Sequence, residues 1–468
     1  MIKQILKNKV FQNFSFLTIG NVVTQIFGLI ALIKIARIIL PEDYGTYTFM
    51  LAQGQLLITI GDLGFRNIII RSISRDNSKS KGLFITALKL KIIALVLLAL
   101  LYLIYNSIWG NLNQEQLLLL MLFILFNCST NLLECVFWGN QKMIITSIVN
   151  IIWSVIWLLL ILILPDSYVQ VTFLFSFFII ISLFKAGMLY LLLIKYGLLR
   201  GDNYPFIESS IKLLRESWPY LSLTLMMVPI VYLSNNFLDI NSSTTEVGYF
   251  NLANKLMSPI TLVIGFALSA LFPNLSLLWV ENPKKFNDRV SFGFKYIMIV
   301  ALLLCLMFTL FAKEIVIFLF SEKYLPVVKV SQLQIWYVFL MGVNSIIGTI
   351  WGAVNMEKLM FKSSVINALI TTPLIYYGSM FGALGISYGY VISFAIFEVY
   401  LWYLFKKSVN IKIEGDKYLW SLTIALFVVS FWFFSDSQLI TRLLISIFMM
   451  ITFFFYFLKS FKNYNREI

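Results

Sequence analysis

The chain has 468 residues, 60% of them hydrophobic and only 12% charged, about half the charged share of an average globular protein. Apolar runs of about 20 residues, enough to cross a bilayer, recur from end to end, which excludes a soluble domain; the short alternating segments of a β-barrel are missing. The net charge is +14 and histidine is absent, which removes the usual general base and the commonest metal ligand.

The pattern predicts an all-α polytopic membrane protein of about fourteen transmembrane helices. They fall near 14–38, 47–70, 83–105, 117–138, 144–164, 169–194, 218–238, 248–272, 291–312, 330–353, 362–381, 385–405, 418–434 and 439–458. The first is expected to be retained, since no small-residue cleavage site follows it. One alternate set of connections and ends (1–13, 71–82, 139–143, 195–217, 280–295, 354–362, 406–417, 459–468) holds 25 of the 36 Lys and Arg. The other connections hold Lys313, Lys323, Lys329 and Arg442. By the positive-inside rule both termini are cytoplasmic, so the excess of base marks a membrane topology and no nucleic-acid partner is expected.

Charges inside the expected spans are the candidate functional groups, because each costs roughly 2.5–3.5 kcal/mol at a helix centre on insertion scales. Lys34 and Arg37 sit one turn apart near the outer end of span 1. They either snorkel outward or line a cationic cavity, and the second reading fits the base-poor outer side. Asp62 and Arg66 in span 2 stand at i,i+4, the favourable order for an intrahelical pair; the alternative is that both face a cavity. Gly61 and Gly64 permit bending there. Arg71 and Arg75 lie beyond the membrane as anchors. Lys89 and Lys91 in span 3 read as inward snorkellers.

Glu134, near the cytoplasmic end of span 4, reads as structural. Lys185 in span 6 and Lys255 in span 8 have no acid at i±3 or i±4, so each faces either a hydrated cavity or a distant carboxylate. Glu398 in span 12 is a candidate to bind a coupling H⁺ or Na⁺, or to partner a buried lysine. Pro229, Pro259, Pro273 and Pro373 mark candidate hinges. Cys128, Cys135 and Cys305 sit in apolar segments and read as core residues with no metal spacing. No cofactor and no metal site are expected, and no phosphate loop for ATP is present.

Two stretches, "EDYGTYTF" (42–49) and "TEVGYFNL" (245–252), resemble each other, with Gly45 and Gly248 203 residues apart. The first spans of the two blocks keep nearly the same offset. This predicts an internal duplication: a six-helix lobe at 1–200, a second in the same orientation at 201–406, and two accessory helices at 407–468. Such parallel repeats occur in transporters.

The stretch "LPEDYGTYTFMLAQGQLLITIGDLGFRNIIIRSISR" (40–75) resembles the span 1–2 signature of polysaccharide-repeat flippases, members of the multidrug/oligosaccharidyl-lipid/polysaccharide exporter superfamily. The matching positions are Pro41, Glu42, Tyr44 and Gly45, then Asp62, Leu63 and Gly64, then Arg71 and Arg75. "EVGYFNLANKL" (246–256) and "ALFPNLSLLW" (270–279) are similar to the family's second repeat. The resemblance implies a transporter rather than an enzyme, in the bacterial inner (plasma) membrane. It implies a flippase for undecaprenyl-pyrophosphate-linked oligosaccharide repeat units, such as those of O-antigen, working by alternating access and driven by an H⁺ or Na⁺ gradient. Lys34, Arg37, Arg66, Lys185 and Lys255 would then neutralise the anionic substrate, with Asp62 and Glu398 as cavity or coupling carboxylates. Implied partners are the lipid bilayer, a polysaccharide polymerase and a chain-length regulator. Competing readings are a cation-coupled multidrug exporter of the same superfamily, disfavoured by seven bases against three acids within the spans, and a membrane glycan polymerase, which would want a long external loop.

Overall fold

The computed structural model describes residues 9–409, 423–434, 438, 440–449 and 451. The basic ends 1–8 and 452–468, the connection 410–422 and parts of spans 13 and 14 lie outside the described residues. So do the side chains of residues 9–15, 270, 273, 283 and 432–434, including the candidate hinge Pro273. Among the described residues the chain is helical and has no strand.

The helices follow in order: α1 (Lys9–Ile38), α2 (Pro41–Gly61), α3 (Phe65–Arg75), α4 (Ser80–Trp109), α5 (Gln114–Gly139), α6 (Met143–Ile163) and α7 (Val171–Lys195). Then come α8 (Phe206–Val231), α9 (Leu233–Asn241), α10 (Thr244–Glu281), α11 (Pro283–Phe320), α12 (Val327–Ala353), α13 (Glu357–Ser379) and α14 (Gly382–Val409). Eleven helical stretches among the described residues are long and apolar enough to cross a membrane. They correspond to expected spans 1 and 3 to 12, and they make this a multi-pass membrane protein.

Local sequence explains where helices begin. Pro41 starts α2, where a missing N–H costs nothing, and Glu42 and Asp43 in its first turn favour the positive helix end. Asn113 and Gln116 close a reciprocal capping box on α5, with N–O distances of 2.8 and 3.1 Å. Asn282 accepts from the Lys285 N–H at 3.1 Å, and Pro283 follows as the first residue of α11. Pro259 and Pro373 are absorbed within α10 and α13. The helix holding Pro229 ends two residues later, and Tyr232 separates α8 from α9.

Expected span 2 is corrected by the structure. It is two helices, because Leu63 (φ 53°) and Gly64 (φ 69°) both take left-handed backbone conformations. At Gly64 an added Cβ would stand 2.8 Å from the Leu221 N and 2.9 Å from the Ser217 carbonyl, so α8 approaches over a residue that must lack a side chain. The short α3 beyond the break is amphipathic. Phe65, Ile68, Ile69 and Ile73 are buried with Leu133, Val136 and Phe137 of α5, Leu193 of α7 and Leu213 of α8, while Arg71 and Arg75 point away.

The chain divides into two compact units, Met1–Gly248 and Tyr249–Ile468. In the first, α1 lies along α6, α5 along α7, and α3 against α5 and α8. The two turns alike in sequence meet there: a Cβ on Gly45 would collide with the Thr244 carbonyl, and one on Gly248 would stand 3.0 Å from the Gly45 backbone. In the second unit α13 lies along α14, and α12 packs on α11 and α14. The 429–434 segment, wound as a π-helix, rests on α11.

Candidate functional site

The helix break places Asp62 at the end of α2, where its N–H still bonds the Ile58 carbonyl at 2.9 Å. The intrahelical Asp62–Arg66 pair expected from the i,i+4 spacing is not formed, because the two residues no longer share a helix. Asp62 instead accepts from Lys91 of α4 at 2.6 Å. The Lys91 side chain is 3% exposed, which corrects the reading of it as an inward snorkeller. Arg66 turns elsewhere and lies over the Trp138 ring of α5, 4.4 Å from its centroid. Lys89 does likewise over Phe206 at 5.3 Å.

Lys185 of α7 finds the distant carboxylate that its own helix lacks. It pairs with Glu134 of α5 at 3.3 Å, and Asn150 of α6 donates to the same Glu134 oxygen at 3.3 Å. Lys34 donates to the Leu162 carbonyl at 2.9 Å. That carbonyl is one of the last four of α6, which have no partner within their helix, so Lys34 serves as a cationic cap. Arg37 is exposed in the last turn of α1.

The sequence reading missed a further group because it ended span 7 at residue 238. The helix α9 continues to Asn241 and buries Asp239, at 5% exposure. Tyr102 and Tyr105 of α4 lie within electrostatic reach of its carboxylate, and Asn111 stands beside it. One turn back on α9, Asn236 bonds Gln53 of α2, and Thr59 shares a proton with the Tyr232 hydroxyl at 3.0 Å. The Gln53 Oε1 and the Tyr102 hydroxyl are buried with no hydrogen-bond partner among the described residues, and the two Asp239 oxygens are buried with at most the neighbouring Asn111 amide to meet them. Such groups are costly to leave dry, so this buried cluster calls for a proton, a cation or water.

In the second unit, Glu398 of α14 is 3% exposed and neither of its oxygens has a hydrogen-bond partner among the described residues. It faces a cavity of about 370 Å³ lined by Trp336, Phe339, Trp402, Thr423 and Phe427. Glu398 is therefore not the partner of a buried lysine. Lys255 of α10 is half-buried and has no ion-pair or hydrogen-bond partner for its ammonium among the described residues. Elsewhere in this unit Arg442 grips Glu314 of α11 at 2.7 and 2.9 Å and the Leu310 carbonyl at 2.7 Å. Cys128, Cys135 and Cys305 are buried free thiols.

Among the expected site residues, then, Lys34, Asp62, Arg66 and Lys185 each have a local partner within the first unit. In the second unit the ionisable ends of Lys255 and Glu398 have no hydrogen-bond or ion-pair partner among the described residues.

Residues 10–279 match the family described as polysaccharide biosynthesis protein. No match was found among curated proteins. The fold is similar to that of the lipid II flippase MurJ in an inward closed conformation, at 17% identity and TM-score 0.73, over 95% of this chain and 99% of that one. It is also similar to an inward-facing multidrug resistance transporter of the MATE family and MOP superfamily, at 14% identity and TM-score 0.66, over 83% of this chain and 95% of that one. An outward-facing member of the same family matches at 13% identity and TM-score 0.56, over 84% and 94%. At these identities the likeness shows a shared fold.

Proposed function

This chain belongs to the polysaccharide biosynthesis protein family, and on that premise we propose that it is a flippase for lipid-linked oligosaccharide units. The substrate is a glycan carried on undecaprenyl pyrophosphate, moved from the inner to the outer leaflet of the bacterial inner membrane by alternating access. The observation that carries the reading is the family match over residues 10–279; likeness of fold to a lipid II flippase over 95% of the chain supports it. The activity is transport, not catalysis, in keeping with the flippase and transporters that share the fold.

The charge distribution fits an anionic cargo. Lys34, Arg37, Arg66, Lys185 and Lys255 supply base within the spans, and Lys255 carries the role best because no group among the described residues neutralises it. An unpaired intramembrane lysine costs about 2.5–3.5 kcal/mol on insertion scales, and a pyrophosphate offsets that cost. Asp62, held by Lys91, has a structural part in this scheme. Coupling to an H⁺ or Na⁺ gradient falls to two buried carboxylates, Glu398, whose oxygens have no hydrogen-bond partner among the described residues, and Asp239, which has no ion-pair partner among them. Carboxylate with amide and phenol oxygens is a hard-cation donor set. The transported unit is then polymerised by a separate polymerase and chain-length regulator.

The test is a deletion strain. The lipid-linked unit should accumulate on the cytoplasmic leaflet and surface glycan should vanish. Restoration should succeed with the native gene and fail with Lys255→Ala. A unit that reaches the outer leaflet but stays unpolymerised would overturn the reading in favour of a polymerase. Unchanged glycan with new sensitivity to cationic drugs would overturn it in favour of a multidrug exporter.

A further inference from the structure

Arg71 and Arg75 do more than anchor α3. They stand one turn apart on its polar face and look onto α8, where Glu208, Lys212 and Glu216 repeat at four-residue intervals. With Lys79 they line a pocket of about 580 Å³ within the first unit. The wall carries four cations and two anions. Arg71 is engaged with Glu216 at 3.7 Å, and Lys79 with Asp76 at 3.3 Å. Hydrogen bonds from Ser78 hold the Asp76 carboxyl below its usual range, so that carboxylate stays ionised for Lys79. Arg75 and Lys212 have no carboxylate within 4 Å among the described residues and are the charges an incoming anion would meet.

The pocket is built, not incidental. Its far wall is the 196–205 connection, fastened to the start of α4. Ser80 Oγ donates to the Leu198 carbonyl at 2.7 Å and accepts from the Arg200 N–H at 2.7 Å. The Lys81 N–H donates to the Arg200 carbonyl at 3.0 Å. Thr86 and Ser209 share a hydroxyl bond at 3.0 Å. Gly201, at φ 85°, passes where any side chain would strike the Ser78 carbonyl. These bonds fix the first turn of α8, with its free N–H groups, at the pocket rim. Tyr204 and Ser72 add hydroxyl donors, and Ile68, Leu83 and Leu213 make the remaining wall apolar.

We propose that this pocket binds the phosphoryl headgroup of an amphiphile, with Arg75 and Lys212 on the phosphate oxygens and the apolar wall against the first carbons of the stem. A guanidinium fork suits phosphate geometry, and an ammonium supplies the second point charge. The anion chemistry stands on the pocket alone. That the amphiphile is an isoprenyl diphosphate, collected on the side where the basic connections lie before it is moved, rests on the flippase reading.

The experiment uses the full chain in detergent and equilibrium dialysis with labelled farnesyl diphosphate as the probe. Binding should weaken as salt rises, since exposed charges are screened over about 8 Å at physiological ionic strength. The double variant Arg75→Gln, Lys212→Gln should bind at least tenfold more weakly, and Lys285→Gln should bind as the native chain does. Inorganic pyrophosphate should displace the probe, and dioleoyl phosphatidylglycerol should displace it at least tenfold less well. Equal binding by the double variant would overturn the site, and equal displacement by phosphatidylglycerol would overturn the assignment to a diphosphate. A second readout needs no variant: pyrophosphate should protect Lys212 from amine acetylation in the native chain, and full reactivity in its presence would refute the proposal. None of these results depends on translocation, so failure here and failure of the flippase reading are separately visible.

Discussion

Replacing Lys91 by Met should be among the most damaging single changes to the first unit. The substitution keeps the length of the side chain and removes its charge. Lys91 is 3% exposed and its partner Asp62 21% exposed, with 2.6 Å between them. Removing one member of a buried pair costs about 3–5 kcal/mol, because the other charge is left uncompensated. Asp62 retains some access to water, so the lower end applies, about 3 kcal/mol or roughly a hundredfold in the folding equilibrium. The double variant Asp62→Asn, Lys91→Met carries no stranded charge and should fall within about 1 kcal/mol of the native protein, since apolar replacement of a buried pair is often near neutral. The assay is reversible unfolding in mixed micelles by detergent titration, run as a double-mutant cycle. It should return a coupling of about 2 kcal/mol or more, against the roughly 0.5 kcal/mol scatter of independent sites. If the single and double variants lose the same stability, Asp62 is solvated at the helix break and the reasoning fails.

Gly64→Ala should cost about 2 kcal/mol or more, since it adds a left-handed backbone penalty of about 1 kcal/mol to a Cβ contact of 2.8 Å with the α8 backbone; the midpoint of thermal unfolding reads it, and a shift no larger than that of Gly28→Ala, where nothing lies within 4 Å, would count against it. Arg442→Ala removes a two-pronged grip on Glu314 and a bond to the Leu310 carbonyl, and should destabilise the second unit by about 2–3 kcal/mol, charge-assisted bonds of this kind being worth about 1.5–3; Arg442→Lys should recover under half of that by the same melt. Glu398→Gln should leave the fold at least as stable, because no group among the described residues bonds the carboxylate, yet gradient-driven translocation in vesicles should fall at least tenfold, which is about 1.4 kcal/mol on the barrier. Native rates with Glu398→Gln would transfer the coupling role away from α14.

The sequence by itself determined the class of this protein. Apolar runs of spanning length, the loop-by-loop bias in Lys and Arg, and the motif around Asp62, Leu63 and Gly64 are local or one-dimensional signals, and hydropathy has no competing solution inside a bilayer. They placed spans 1 and 3 to 12 and pointed to the family matched over residues 10–279. Partners were not legible in this way. The i,i+4 rule that joined Asp62 to Arg66 assumes a continuous helix, and two left-handed residues ended it. Only the packing of α2, α4, α5 and α7 decided that Asp62 meets Lys91, 29 residues away, and that Glu134 meets Lys185, 51 residues away. Asp239 stayed hidden because a polar residue one position past an apolar window reads as loop, whereas its helix runs on and buries it. Composition sets the cost of a charge in the membrane; tertiary structure decides which charge cancels it, and so which groups, Lys255 and Glu398 above all, find no partner among the described residues.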